Sequence, residues 1–149
     1  MTKESLALLA RIGSPAGLCV LELGCGDGEL AAALLAGGCA SYLGIDASAS
    51  SVAAARARLD RSAAAVVHGS IERFAPPRRA FDLIVARAAP VALLAGYRAA
   101  LRPAGRLLLS AAPGDGSVGA YVRALLEAGL ALTWLEDEAF LLLEGSVPE

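Results

Sequence analysis

The chain is short of the residues that build metal and disulfide sites. Among its 149 residues are one histidine, His68, and three cysteines, Cys19, Cys25 and Cys39, with no CxxC pair. That set supports neither a disulfide framework nor a zinc site, and it suits a reducing, cytoplasmic setting. Lysine is nearly absent: Lys3 stands alone and the other basic residues are arginines. A formal net charge of −2 argues against a general nucleic-acid binder. Arg56, Arg58 and Arg61 do cluster, and read either as a solvated helix face or as a phosphate track. No apolar run is long enough to cross a bilayer, and the opening MTKESLALLARIG is too polar and alternating for a signal peptide, so no membrane role is expected. Repeats, low-complexity tails and interdomain linkers are missing too. APPRR at 75–79 reads as an internal loop, and 1–149 as one domain.

What the chain has in plenty is apolar residues, 56% of the total, mostly Ala and Leu. They fall into strand-like runs that alternate with helical stretches: strands at 18–24, 41–46, 63–70, 81–87 and 105–111, with helices between most of them. Gly37 and Gly38 stop the first of these helices, a Ser cap opens the next, and PAG at 103–105 turns the chain into the fifth strand. Continuous apolar strands separated by helices predict a parallel sheet buried on both faces. The end of the chain departs from that rule. LALTWLE and AFLLLEG are separated by a turn around Asp137 too short for a parallel crossover, so they form an antiparallel hairpin.

The run LCVLELGCGDGEL at 18–30 interrupts a buried strand with Gly24, Gly26 and Gly28, just after Glu22. In such a sheet, ligands sit beyond the carboxyl ends of the strands. Glycines there allow a tight turn and close approach of a ligand. Asp46 ends the next strand about twenty residues on, where an acid can accept hydrogen bonds from both hydroxyls of a ribose. It can also be an N-cap for the following helix, a job for which Ser48 is equally well placed. Together the turn and the acid indicate an adenosine-containing ligand. Dinucleotide sites read GxGxxG, whereas this chain reads GxGxG.

Residues 19–28, GID at 44–46, FDLIVA at 81–86 and LRPAGRLLLS at 101–110 resemble, in order, the motifs of class I S-adenosylmethionine-dependent methyltransferases. The resemblance implies a three-layer, Rossmann-like α/β fold. Its sheet has seven mostly parallel strands in the order 3-2-1-4-5-7-6, with strand 7 antiparallel. It also implies S-adenosyl-L-methionine as cofactor. Glu22, Gly24, Cys25, Gly26 and Gly28 would hold the methionine part, Asp46 and Ala47 the ribose, Ser70 and Ile71 the adenine, and Ala86 would lie by the methyl group. Ser70 stands where the family often has an Asp for the adenine amine, and Ile71 is either a purine-facing or a core residue. From Leu83 to Glu144 the chain looks most like the catalytic domain of ribosomal-protein lysine methyltransferases, without the Asn that they carry after the fourth strand.

The expected reaction is methyl transfer to a small or medium metabolite or to a protein side chain. The alternative is a methyltransferase-like module that binds without catalysis. Arg87 is a candidate clamp for an anionic substrate or a partner of a neighbouring acid, and His68 a candidate base or a satisfied structural residue. Residues 1–17 supply one short helix as a lid. That cover leaves the site open, and the apolar terminal strands with Trp134 point to a homodimer.

Overall fold

The fold was described from a computed structural model, which covers residues 1–60, 62–111, 118–137 and 141–148. Arg61, the first residue of the expected last helix and the tip of the terminal hairpin lie outside these residues. Helices are α1 (Lys3–Ile12), α2 (Glu29–Ala36), α3 (Ala49–Arg58), α4 (Leu94–Ala100, after a short 3-10 turn) and α5 (Val118–Glu127). Strands are β1 (Cys19–Leu23), β2 (Ser41–Asp46), β3 (Ala64–His68), β4 (Phe81–Arg87), β5 (Leu101–Ala111), β6 (Ala131–Asp137) and β7 (Leu141–Ser146). The strand order is β3-β2-β1-β4-β5-β7-β6, the order expected from the sequence. The chain divides into two compact units, Met1–Phe74 and Ala75–Glu149.

In the first unit β1 pairs parallel with β2, and β2 parallel with β3. Helix α1 starts where the Thr2 hydroxyl accepts the Ser5 amide and stops at Gly13, in the left-handed region at φ 72°. It buries Ser5, Leu8 and Ile12, the spacing of one helical face. Helix α3 is capped by the Ser48 hydroxyl, which accepts from the Ser51 amide. The core gathers Leu8, Val20, Leu21, Leu23, Leu30, Leu34, Ile45 and Val52. Strand β3 ends the strand order, and Val66 is its one buried residue. Arg56 reaches over from α3 and donates from Nε and Nη2 to the Val66 carbonyl, at 3.1 and 2.8 Å. A cation wrapped over an edge carbonyl discourages further strand addition there.

In the second unit β4 pairs parallel with β5, while β7 runs antiparallel to both β5 and β6. The hairpin expected from the short terminal connection is therefore present. One expectation needs correction. PAG does not precede the fifth strand but lies inside it: β5 begins at Leu101, opposite Phe81, and the pairing resumes only at Leu83 with Arg106. The extra residues bulge out, with Ala104 left-handed at φ 63°, and Pro103 sits in the bulge, where its missing N–H costs no ladder bond. The third strand is also shorter than expected, Ala64–His68: the Gly69 amide still donates to the Asp46 carbonyl at 3.0 Å, but the paired register ends at His68.

A polar cluster crosses the three last strands. Glu144 on β7 is 4% exposed. Its Oε1 accepts from Arg106 Nη1 on β5 at 3.1 Å, and its Oε2 accepts from the Thr133 hydroxyl on β6 at 2.9 Å. A buried carboxylate is tolerated because both oxygens have donors. Glu144→Ala is expected to lower unfolding stability by about 2 kcal/mol, because Arg106 then loses its counter-charge. Urea melts check this, and the double change Arg106→Met with Glu144→Leu should recover most of the loss. A single variant as stable as the parent would contradict the assignment.

Candidate functional site

The glycine turn after β1 is built from three residues in the left-handed region, Gly24 at φ 84°, Gly26 at 57° and Gly28 at 84°, which a side chain disfavours. The Gly24 amide donates to the Ile45 carbonyl at 2.8 Å, which ties the turn to the end of β2. Gly26 has φ 57°, and a Cβ added to it would meet nothing within 4 Å. Its outer side is open space. Gly28 has φ 84° and opens α2, and a Cβ there would press on Ala55 of α3 at 3.2 Å. Gly26 is thus the position where the turn offers room, and Gly28 the one where two helices need to touch.

Asp46 ends β2 and is half-buried. Its Oδ2 accepts from the Gly26 amide and its Oδ1 from the Ser48 amide, each at 2.9 Å. The cap of α3 is Ser48, so the reading of Asp46 as that helix's cap falls away. Asp46 instead holds the glycine turn and the start of the α3 loop in one geometry. Each carboxylate oxygen keeps a further lone pair for another donor. Ala47 beside it is exposed, and its carbonyl lies 3.0 Å from Nε2 of His68. A carbonyl only accepts, so this nitrogen carries the proton. His68 therefore secures the Asp46–Ala47 corner to the end of β3.

Beneath the turn lies a fully buried acid. Glu22 is 0% exposed, and the Tyr42 hydroxyl donates to its Oε1 at 2.6 Å. Tyr42 lies two residues before Gly44 on β2, and a Cβ at Gly44 would stand 2.7 Å from that hydroxyl and 2.9 Å from the Cys25 Cβ. The missing side chain at Gly44 makes the slot in which the bond forms. Sequence reasoning used Gly44 only as part of a motif and missed Tyr42. A lone glycine two residues from a tyrosine inside a strand was the available signal, since it marks close approach.

Cys25 is buried in the same place, and its Sγ lies 3.7 Å from the Gly26 carbonyl. Burial, then the nearby charges of Glu22 and Asp46, push the thiol up to about 12. The thiol stays neutral at physiological pH and is no nucleophile.

A cavity of about 340 Å³ opens at the ends of β2 and β3, walled by Ile45, Val67, Gly69, Ser70, Arg73 and Phe74. That is within the usual range for small-molecule sites. Ile71 is half-buried in the turn after β3 but is not one of these walls. The Ser70 hydroxyl donates to Glu72 Oε2 at 2.6 Å, a carboxylate that the sequence reading overlooked.

In the second unit Ala86 is fully buried near the end of β4, and the half-buried Arg87 closes the strand. The next residue, Ala88, is left-handed at φ 52°, strain of roughly 1 kcal/mol for a residue with a Cβ. Two hydrogen bonds fix it: the Ala88 amide donates to the Ser110 carbonyl at 2.7 Å, and the Tyr121 hydroxyl to the Ala89 carbonyl at 2.8 Å. Among the described residues no group of His, Cys, Asp and Glu could hold a metal ion, and no helix is long and apolar enough to cross a membrane.

The glycine turn, the acid ending β2 and the reversed β7 define a methyltransferase-type α/β fold. The chain belongs to the methyltransferase domain family, whose pattern matches residues 20–110. No curated protein matches it. An S-adenosylmethionine dependent methyltransferase from Mesorhizobium loti shares 21% identity at a TM-score of 0.84, covering 95% of this chain and 96% of that one. A magnesium protoporphyrin IX methyltransferase from Synechocystis, solved with bound SAM, shares 19% at 0.77, covering 97% and 77%. The 4+2 cyclase SpnF shares 16% at 0.80, covering 98% and 81%. At these identities the likeness speaks for the fold alone.

The electrostatics of Cys25 can be tested directly. Iodoacetamide at pH 8 is expected to modify Cys25 more than about a hundredfold more slowly than a free thiol, as followed by peptide mass spectrometry. Rapid labelling in the folded protein would show that the thiol is neither buried nor flanked by charge as described.

Proposed function

We propose that the chain is an S-adenosyl-L-methionine-dependent methyltransferase whose two units work as one domain. The observation that carries this is the Asp46 carboxylate, held by the Gly26 and Ser48 amides beside an open turn. The family match runs through the boundary at 74–75, which supports a single working domain. The residues fit the cofactor in two respects. A Cβ at Gly26 would fill space that the turn otherwise leaves open, and Asp46 has lone pairs left for two ribose hydroxyls.

Bound S-adenosylmethionine supplies an electrophilic methyl group, and the protein's task is alignment and exclusion of water. In this reading Gly24, Cys25 and Gly26 line the methionine part with backbone atoms. Glu22 backs the turn through Tyr42, and Gly28 sets the approach of α2 to α3. Asp46 and Ala47 take the ribose, Ser70 and Ile71 the base, and Ala86 the vicinity of the methyl group. Arg87 orients an anionic group of the acceptor, and His68 acts as a positioning residue for the Asp46 corner rather than as a base. The acceptor is a small or medium metabolite or a protein side chain. The likeness of Leu83–Glu144 to ribosomal-protein lysine methyltransferases supports kinship rather than that substrate. Three free thiols suit the reducing cytoplasm proposed as its location.

Titration calorimetry with S-adenosylmethionine tests the reading. Asp46→Asn is expected to weaken binding at least about tenfold, more than Ser70→Ala does, because a charged acceptor is lost rather than a neutral one. Gly26→Val should abolish binding while leaving a cooperative melt, since the added side chain enters the open side of the turn. Full affinity in a folded Gly26→Val variant would sink the assignment.

A second copy of the chain is the proposed partner of β6, which ends the strand order and leaves Leu132 and Leu135 36% and 40% exposed. Light scattering at micromolar concentration should report a dimer, and Leu135→Lys should yield a monomer. A monomeric parent chain would refute this.

A further inference from the structure

Helices α1 and α2 begin beside one another, and the side chain of Glu29 joins their starts. Glu29 is the first residue of α2 and directly follows Gly28, the last glycine of the turn. Both of its carboxylate oxygens face the Thr2 amide, which donates to Oε1 at 3.1 Å and to Oε2 at 3.2 Å. Oε2 also lies 3.3 Å from the Thr2 hydroxyl. Thr2 is the N-cap of α1, so an acid of one helix serves the open amide end of another. The same hydroxyl accepts the Ser5 amide at 3.1 Å, and Ser5 is fully buried. The Met1 amino group lies 3.4 Å from Oε1 as well, but the Thr2 bonds make the join without it. The Thr2 amide holds the Glu29 carboxyl below the usual carboxylate range, so the joining group is charged at neutral pH.

We propose that Glu29 is a positioning residue that ties α1 to the glycine turn, so that order in α1 and ligand binding at the turn reinforce each other. The proposal rests on the cofactor reading above and adds the residue that connects the first helix to that site. Leu8 and Ile12 anchor the body of α1 in the core, and its first turn meets the start of α2 through Glu29. With α1 fixed, Gly28 and Glu29 start α2 in one geometry, and a ligand at the turn has less disorder to remove. Reciprocity then requires the bound ligand to steady α1 by the same factor. A carboxylate acting only as a nearby charge would alter affinity without changing the order of α1.

The experiment combines hydrogen–deuterium exchange of the α1 peptides with calorimetry, using S-adenosylhomocysteine on the full chain. In the parent protein the ligand is expected to slow exchange in α1 at least about threefold. Glu29→Ala should keep a cooperative melt, speed exchange in α1, weaken the ligand at least about threefold and abolish its protection of α1. Glu29→Gln keeps one acceptor oxygen and should fall between the two. Parental exchange in α1 of Glu29→Ala overturns the tie. Looser α1 with unchanged ligand affinity, or a parent chain whose α1 ignores the bound ligand, overturns the coupling and leaves the cofactor reading standing. A parent chain that does not bind S-adenosylhomocysteine overturns both.

Discussion

The carboxylate of Asp46 is the joint on which the glycine-turn end of the first unit depends. It sits where β2 stops and accepts from an amide of the β1 turn and from an amide of the α3 loop. A backbone that changes direction at Gly24, Gly26 and Gly28 has few ladder bonds of its own, and it needs an outside acceptor to hold one shape. A single side chain therefore orders the turn and faces the open space above it. The bond from His68 to the Ala47 carbonyl extends the same order to the end of β3.

Polar burial follows one rule in both units, with different consequences. Glu22 and Glu144 are almost wholly buried, and each receives a donor from a neighbouring strand. Near the glycine turn that burial keeps Cys25 neutral, so the sulfur adds volume and no reactivity. In the second unit the Arg106–Glu144–Thr133 cluster joins β5, β7 and β6, the three strands without a parallel neighbour pair among them. A purely apolar edge there would tolerate a shift along the strands, whereas a charge pair fixes one alignment.

Much of the fold was legible because its strands are nearly continuous apolar runs bounded by glycine. β2 and β4 fall where the pattern put them, and the antiparallel hairpin followed from connection length alone. The start of β5 was not legible, since Pro103 and Gly105 read as a turn and only the pairing of Leu101 with Phe81 shows a bulged strand. In the candidate site, the glycine turn and the strand-end acid stood out because each is marked by residue type at a strand end, although the bond that joins Asp46 to the Gly26 amide spans twenty residues. The Tyr42–Glu22 and Ser70–Glu72 bonds did not. The first joins residues twenty apart through a slot made by a missing side chain, and the second depends on how a turn folds back.

On the proposed reading the acceptor meets the end of β4, and this chain places little chemistry there. Of the residues from Phe81 to Ala89, only Asp82 and Arg87 are charged. Asp82 is held by Arg102 at 3.1 Å. What is invested there is geometry: a left-handed Ala88, locked by the Ser110 carbonyl and by the Tyr121 hydroxyl through Ala89. Strain persists only where surroundings over-determine it, and here two bonds to other elements do so. Such an end can orient an acceptor by shape while offering few side chains for proton transfer. Methyl transfer from a sulfonium asks mainly for alignment, so a site of this kind suits that reaction better than one that depends on acid–base catalysis.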